Sequence, residues 1–233
     1  MLGFRSSGAV GYRRTVSEPE DRANDRCCFD DWVDNWDRRV RKGRPVGVTA
    51  PLVDALEHAG LVDRTVLDVG CGIGDLAIEA LARGASSATG FDLSPKAIDH
   101  ARELAARRGF ADRTTFDVGD GSRFELPSAD VVVLNRVVCC YPNADGLLNR
   151  TLTAAGSVFA LTAPVSDGAT GAFNRALNGF WNGWYALRPK KFGSFRTFVH
   201  DLDAIDERVR RAGFRRVAYE RRRVVWNLAV YAR

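Results

Sequence analysis

A doubly wound α/β fold is predicted by three observations, with a seven-stranded, mostly parallel sheet that ends in an antiparallel C-terminal hairpin. Short β-branched and apolar runs alternate with helical stretches from Thr65 to Thr162, the pattern of strands buried on both faces and crossed by helices. The first run enters its helix through Gly70, Gly72 and Gly74, a turn that lets the backbone approach a ligand at the carboxyl end of a strand. Two strand-like runs close the chain with no helical pattern between them, as a hairpin at a sheet edge requires.

The elements follow in chain order. Residues 1–25 are polar, carry Arg5, Arg13, Arg14 and Arg22, and are expected to form a flexible arm. Residues 26–233 are expected to form one domain, with N-terminal helices over 26–60 and an aromatic substrate-lid insertion over 165–200. Asp30 to Arg41 places Trp32, Val33, Trp36 and Val40 on one helical face. A second helix is expected after a cap at Thr49, with Leu52, Val53, Leu56 and Ala59 as its stripe and Gly60 as its stop. Strands are expected at Thr65 to Val69, Ser87 to Phe91, Thr114 to Val118, Asp130 to Leu134 and Ser157 to Thr162. Helices are expected at Asp75 to Ala82, from Ser94 and Pro95 to about Arg108, and at Asn143 to Ala155 with Gly156 beyond it. Serine caps well, and proline at the first helical position loses no useful hydrogen bond. After Pro164 the alternation breaks into a stretch rich in Gly, Phe and Trp, in which Phe173, Leu177, Phe180, Trp181 and Trp184 share a helical face. A helix at Asp201 to Ala212, stopped by Gly213, precedes strands near Phe214 to Glu220 and Val224 to Tyr231, joined by a turn at Arg221 to Arg223.

Composition narrows the function. With 233 residues and 45% hydrophobic content, the chain can bury a substantial core. It has no apolar run long enough to span a membrane and none of signal-peptide length, so a cytoplasmic location is expected. Five cysteines, Cys27, Cys28, Cys71, Cys139 and Cys140, form no CxxC spacing, and reduced, packed thiols are expected rather than a disulfide framework or a zinc site. No carboxylate cluster suggests a catalytic metal. The net charge of +5 gathers in Arg208 to Arg223 without an accompanying nucleic-acid motif, so a nucleic-acid partner is not expected. Oligomeric state is left open.

The glycine loop carries the chemistry. Its spacing is GxGxG, with Asp75 where a dinucleotide fingerprint would place its third glycine, which turns the reading away from a pyrophosphate. Asp68, just before the loop, is placed to hold a cationic group. Asp92 ends the second strand, where a carboxylate can accept from both hydroxyls of a ribose, and Leu93 follows it. Gly119-Asp120-Gly121 after the third strand either presents a carboxylate and an amide to an adenine edge or is simply a turn.

Together these residues resemble the class I S-adenosylmethionine-dependent methyltransferases, of the small-molecule type. The matching motifs are Val66 to Gly74, Gly90-Phe91-Asp92-Leu93-Ser94, Gly119-Asp120-Gly121 with Leu126-Pro127, and Asp130 to Arg136. The resemblance covers Thr49 to Thr162 and the closing helix and hairpin. It implies a Rossmann-like sheet and binding of S-adenosyl-L-methionine, with S-adenosyl-L-homocysteine as product. Asp68, Gly70, Cys71, Gly72 and Gly74 would lie at the methionine part, Asp92 and Leu93 at the ribose, and Asp120 and Gly121 at the adenine. Asn135 would face both the methionine and the substrate. The segment Arg136 to Pro142 departs from the commoner family pattern, and no Asn/Asp-Pro-Pro-Tyr/Phe motif of base- and amide-methylating members is present.

An acceptor is expected beyond the carboxyl ends of the fourth and fifth strands. Asn135, Arg136, Cys139, Cys140 and Tyr141 belong there, and the aromatic face of Phe173, Phe180, Trp181 and Trp184 would roof an apolar or planar substrate or else pack as a plain helix. Arg188, Lys190, Lys191 and Arg196 would meet an anionic group or only solvent. Methyl transfer from a sulfonium is a direct displacement that needs alignment and exclusion of water. If a base is used, His200 is the first candidate and Tyr141 the second. The expected function is methylation of an O, N or C atom of a small metabolite. A non-methylating module that retains the cofactor, and an RNA methyltransferase, are the alternatives.

Overall fold

The structure is a computed structural model that describes residues 33–41, 47–123, 125–222 and 225–233. The expected arm over 1–25, the start of the first helix with Trp32, the cysteines Cys27 and Cys28, and Arg223 of the expected hairpin turn lie outside the described residues. Helix α1 (33–41) and α2 (Thr49–His58) lead into the alternating core: β1 (Thr65–Val69), α3 (Asp75–Ala82), β2 (Ser87–Asp92), α4 (Pro95–Arg108), β3 (Thr114–Val118), β4 (Ala129–Asn135), α5 (Asp145–Ala154) and β5 (Ala155–Pro164). Helices α6 (Gly168–Ala186), α7 (Pro189–Phe192) and α8 (Leu202–Arg211) then precede β6 (Arg215–Arg222) and β7 (Trp226–Ala232).

The seven strands lie in the order β3-β2-β1-β4-β5-β7-β6. All pairs are parallel except those made by β7, which runs antiparallel to both β5 and β6. The chain leaves β1 outward through β2 and β3 and then returns to β4 on its other side. The sheet therefore reverses its winding between β1 and β4, where a doubly wound sheet opens a crevice at the strand ends.

Alternation along the strands sorts the core into two layers. Val66, Val131, Val133, Val158 and Val230 pack under α2, α3 and α4 through Leu52, Leu56, Leu76 and Ile98. Leu67, Val69, Val132, Leu134, Phe159 and Tyr231 pack on the other side with Leu147 and Leu148 of α5 and Val209 of α8.

Local chemistry explains the helix ends. The Ser94 hydroxyl accepts the Ala97 amide at 3.0 Å with Pro95 in the first turn, and the Asp201 carboxylate accepts the Asp203 and Ala204 amides, each cap satisfying an amide the helix leaves open. Helix α4 stops at Gly109, whose φ of +74° lets the Phe110 amide reach back to the Ala105 carbonyl.

Two expected boundaries move. Thr49 is not a cap: Val48 holds that position and makes no side-chain bond, while the Thr49 hydroxyl, inside α2, donates to Asp75 at 2.9 Å. Gly156 does not lie between a helix and a strand. It is the second residue of β5, where a Cβ would come within 3.1 Å of the Ala129 carbonyl oxygen, so close backbone packing selects a glycine there.

Candidate active site

A cavity of about 330 Å³ opens at the reversal of the sheet. The β1–α3 turn with Asp68 forms one wall, Asp92 and Leu93 of β2 a second, and Asn135 to Tyr141 beyond β4 a third. Trp36 of α1 closes one side. Pro164, Asn178, Phe195, Thr197, Phe198 and Trp226 close the far end.

The glycines have separate tasks. Gly70 has φ +79°, and a Cβ there would fall 2.3 Å from a methyl of Val137. Gly72 has φ +53° and no atom closer to its Cβ position than the Trp36 ring at 3.8 Å, so its missing side chain leaves room in the cavity. The first glycine is thus a packing requirement and the second an opening for a ligand. Asp92 holds the loop in place: one carboxylate oxygen accepts the Gly72 amide at 2.8 Å and the other accepts the Ser94 amide at 2.9 Å.

Asp68 is 1% exposed, and neither of its carboxylate oxygens has a hydrogen-bond partner. Burial, with Asp75 and Asp92 nearby, pushes its pKa well above the ordinary carboxylate value. A buried acid without a partner is costly, and this one lines the cavity. The arrangement fits a cationic group that would supply the missing charge and donors.

Asn135 sits in a chain of hydrogen bonds of one direction. The Arg136 amide donates to the Thr162 hydroxyl at 2.8 Å, which donates to the Asn135 side-chain oxygen at 2.8 Å. The Asn135 amide donates to the Thr49 hydroxyl at 3.2 Å, and Thr49 donates to Asp75. Both ends of the amide are therefore fixed. Arg136 itself adopts φ +62°, unusual for a residue with a side chain, and its guanidinium lies 5.8 Å from the centroid of the Trp36 ring.

The other expected site residues divide by position. Cys71, Leu93, Gly121, Cys140 and Tyr141 line the cavity with those already named. The hydrogen bond with Cys139 and burial push the Cys140 thiol well above the usual thiol value. The Asp120 carboxylate lies behind the wall and accepts from the Ser122 amide and hydroxyl and from the Tyr141 hydroxyl at 3.0 Å, with Arg123 beside it. His200 stands outside the lining. Its Nε2 lies 3.1 Å from the Val138 carbonyl oxygen and 2.9 Å from that of Tyr141, so it carries a proton on that nitrogen and braces the segment after β4. Phe180, Trp181 and Trp184 are 63%, 42% and 41% exposed on the outward side of α6 and are not part of the lining. The far end of the cavity is formed instead by Asn178 and Thr197, tied to each other, and by Phe195, Phe198 and Trp226. The recurrence of Asn174, Asn178 and Asn182 at helical spacing is the sequence signal for that inward face. Nothing in the sequence marks Trp226. Among the described residues no cluster of His, Cys, Asp and Glu is arranged to hold a metal ion.

Residues 62–178 match the methyltransferase domain family. A ribosomal protein L11 methyltransferase from Pasteurella multocida is 45% identical over 87 residues, which cover 37% of this chain and 29% of the relative. The match thus spans under a third of that relative's length. Magnesium protoporphyrin IX methyltransferase from Synechocystis, crystallised with bound SAH, superposes with a TM-score of 0.61 at 19% identity, covering 94% of this chain and 90% of that one. An O-methyltransferase family protein from Burkholderia thailandensis superposes with a TM-score of 0.65 at 20% identity over 88% of this chain and 59% of that one.

Proposed function

The chain belongs to the methyltransferase domain family, the S-adenosylmethionine-dependent class built on this Rossmann-like sheet, and we propose that it methylates an O, N or C atom of a small, apolar or planar metabolite. The observation that carries the reading is Asp68: a buried, partnerless carboxylate facing a cavity that turns apolar at its other end. It would hold the ammonium of the methionine part. The glycine loop would let the cofactor lie against the backbone, Asp92 would meet the ribose, and Gly119 and Gly121 would flank the adenine. Bound there, S-adenosyl-L-methionine supplies an electrophilic methyl group on a sulfonium.

The remaining work belongs to this chain's side chains. Asn135, fixed at both ends, presents an immobile dipole between the cofactor side and the acceptor side. Phe195, Phe198 and Trp226 exclude water and favour a flat acceptor. Burial and the Asp120 carboxylate raise the Tyr141 phenol far above its ordinary value, so it remains protonated, and His200 is turned to backbone carbonyls. The acceptor would therefore bind with its nucleophile already ionised, its proton left to solvent, and alignment would supply most of the acceleration.

The name of the partial relative favours a protein acceptor as the second reading. The arginines of α8 and β6 speak against RNA: Arg210 and Arg216 pair with Asp206, Arg211 with Glu207 and Arg221 with Asp167, so little charge is left for phosphates. The test is calorimetry with S-adenosyl-L-methionine and S-adenosyl-L-homocysteine, followed by transfer of a radiolabelled methyl group to a panel of planar metabolites and to ribosomal protein. Absence of cofactor binding overturns the reading, and label found only on protein replaces the small acceptor with a protein.

A further inference from the structure

Helix α6 is turned inside out. Its inward face is polar: Asn174 donates to the Val165 carbonyl at 2.9 Å, and Asn178 and Asn182 donate to the Thr197 carbonyl at 2.7 and 2.8 Å. Its outward stripe is Phe173, Leu177, Phe180, Trp181 and Trp184, continued by Leu187, with exposures from 38% to 79%. Most of the large apolar side chains left exposed among the described residues lie in this one stretch. A contiguous patch of that kind marks an interaction surface.

Charge selects the occupant. No Asp or Glu occurs between Asp167 and Asp201, while Arg175, Arg188, Lys190, Lys191 and Arg196 all fall there. This segment alone therefore carries a formal charge of +5, equal to that of the whole chain. The Arg188 guanidinium lies 3.2 Å from the centroid of the Trp184 ring, so a cation sits beside the aromatic stripe. A helix with Phe, Trp and Leu on its outer face, in a segment between Asp167 and Asp201 that carries cations and no acid, matches an anionic bilayer surface, where rings enter the headgroup boundary and cations meet lipid phosphates. Pairing with a second copy through this face would oppose two segments of like charge. No helix among the described residues is long and apolar enough to cross a membrane, so the contact is peripheral.

We propose that α6 and α7 dock on an anionic lipid surface through Phe173, Leu177, Phe180, Trp181, Trp184 and Leu187, with Arg188, Lys190 and Lys191 meeting the headgroups. Asn178, on the inward face of the same helix, lines the cavity, so docking brings the bilayer next to the wall of the acceptor site.

The test uses the full chain and does not depend on turnover. Binding is measured by cosedimentation with vesicles of phosphatidylcholine alone, and with about a third phosphatidylglycerol added, at about 0.1 M and about 0.5 M salt. Binding is expected to the anionic vesicles at low salt, weakened about tenfold or more by high salt and by Lys190→Gln/Lys191→Gln. Phe173→Ser/Leu187→Ser is expected to abolish it while the melting temperature holds. Equal binding to neutral vesicles, or no binding to either kind, overturns the proposal. So does a dimer in analytical ultracentrifugation that Phe173→Ser/Leu187→Ser dissociates in a protein that ignores vesicles, since the face would then be a self-interface.

Discussion

The Tyr141 hydroxyl donates to the Asp120 carboxylate at 3.0 Å, on the same oxygen that accepts the Ser122 amide and hydroxyl. This bond joins the turn after β3 to the segment after β4 and makes the two a single wall. A phenol held there is a proton donor already in use. Tyr141→Phe is expected to lower stability by about 1–3 kcal/mol, as the loss of a hydrogen bond to a charged group does, read as a drop in melting temperature. The pH profile of methyl transfer should keep its shape. Loss of a basic limb from that profile in the variant would make Tyr141 a titrating catalyst instead.

Asp68 sets a pH dependence whose sign follows from its raised pKa. Below the ordinary carboxylate range the group is protonated in both the folded and unfolded chains, and its contribution to stability is fully present. That contribution is lost as pH rises through the raised folded value, because the folded chain binds the proton more tightly. A cationic ligand favours the ionised form, so affinity for S-adenosyl-L-methionine should rise over the same window, with proton release. In Asp68→Asn both slopes should flatten and affinity should fall about 10- to 100-fold, the worth of a charge-assisted contact. Calorimetry in two buffers of different ionisation enthalpy reads the proton directly, and identical heats in both would contradict the assignment.

The loop glycines should fail in different ways. Gly70→Ala places a Cβ 2.3 Å from Val137 at a positive φ, and a loss of stability of about 2–4 kcal/mol is expected from overpacking plus left-handed backbone strain. Gly72→Ala carries only the backbone cost, roughly 1–2 kcal/mol, but its methyl enters the cavity. Denaturant titration should therefore separate the two, with Gly72→Ala folded and poor at binding the cofactor. Normal cofactor affinity in folded Gly72→Ala would remove this loop from the cofactor site.

His200→Ala removes the donor that bridges the Val138 and Tyr141 carbonyls. The Tyr141 carbonyl then loses this donor while the Val138 carbonyl keeps the Tyr141 amide, at a cost of about 0.5–1.5 kcal/mol. Methyl transfer per folded molecule should change less than about threefold. A loss of kcat by about 100-fold at unchanged stability is the signature of a general base and would return His200 to the reaction.

Much of the scaffold was legible because its signals are local. The runs at Val66 to Val69 and Val131 to Leu134, the cap at Ser94 and the stop at Gly109 each need only their neighbours, and all lie where periodicity and capping chemistry place them. The Asn135 chain was not legible, since Thr49, Asp75 and Thr162 reach it from distant parts of the sequence. Trp226 reaches the cavity only because β7 inserts antiparallel beside β5, pairing Trp226 with Pro164.

Helix α6 marks the line between the two kinds of information. By itself the sequence determines that residues near 168–186 form an amphipathic helix, that the glycine loop follows β1, and that Asp68 and Asp92 flank it. Which face of α6 turns inward was decided only by tertiary structure. Carbonyls at Val165, Val225 and Thr197 are presented to it, and the three asparagines can donate to them where phenylalanine and tryptophan cannot. A buried carbonyl left short of a donor costs about 1–3 kcal/mol, and the asparagines remove that cost; the polar face is inside, and the aromatic face, expected to roof the substrate, stands in solvent.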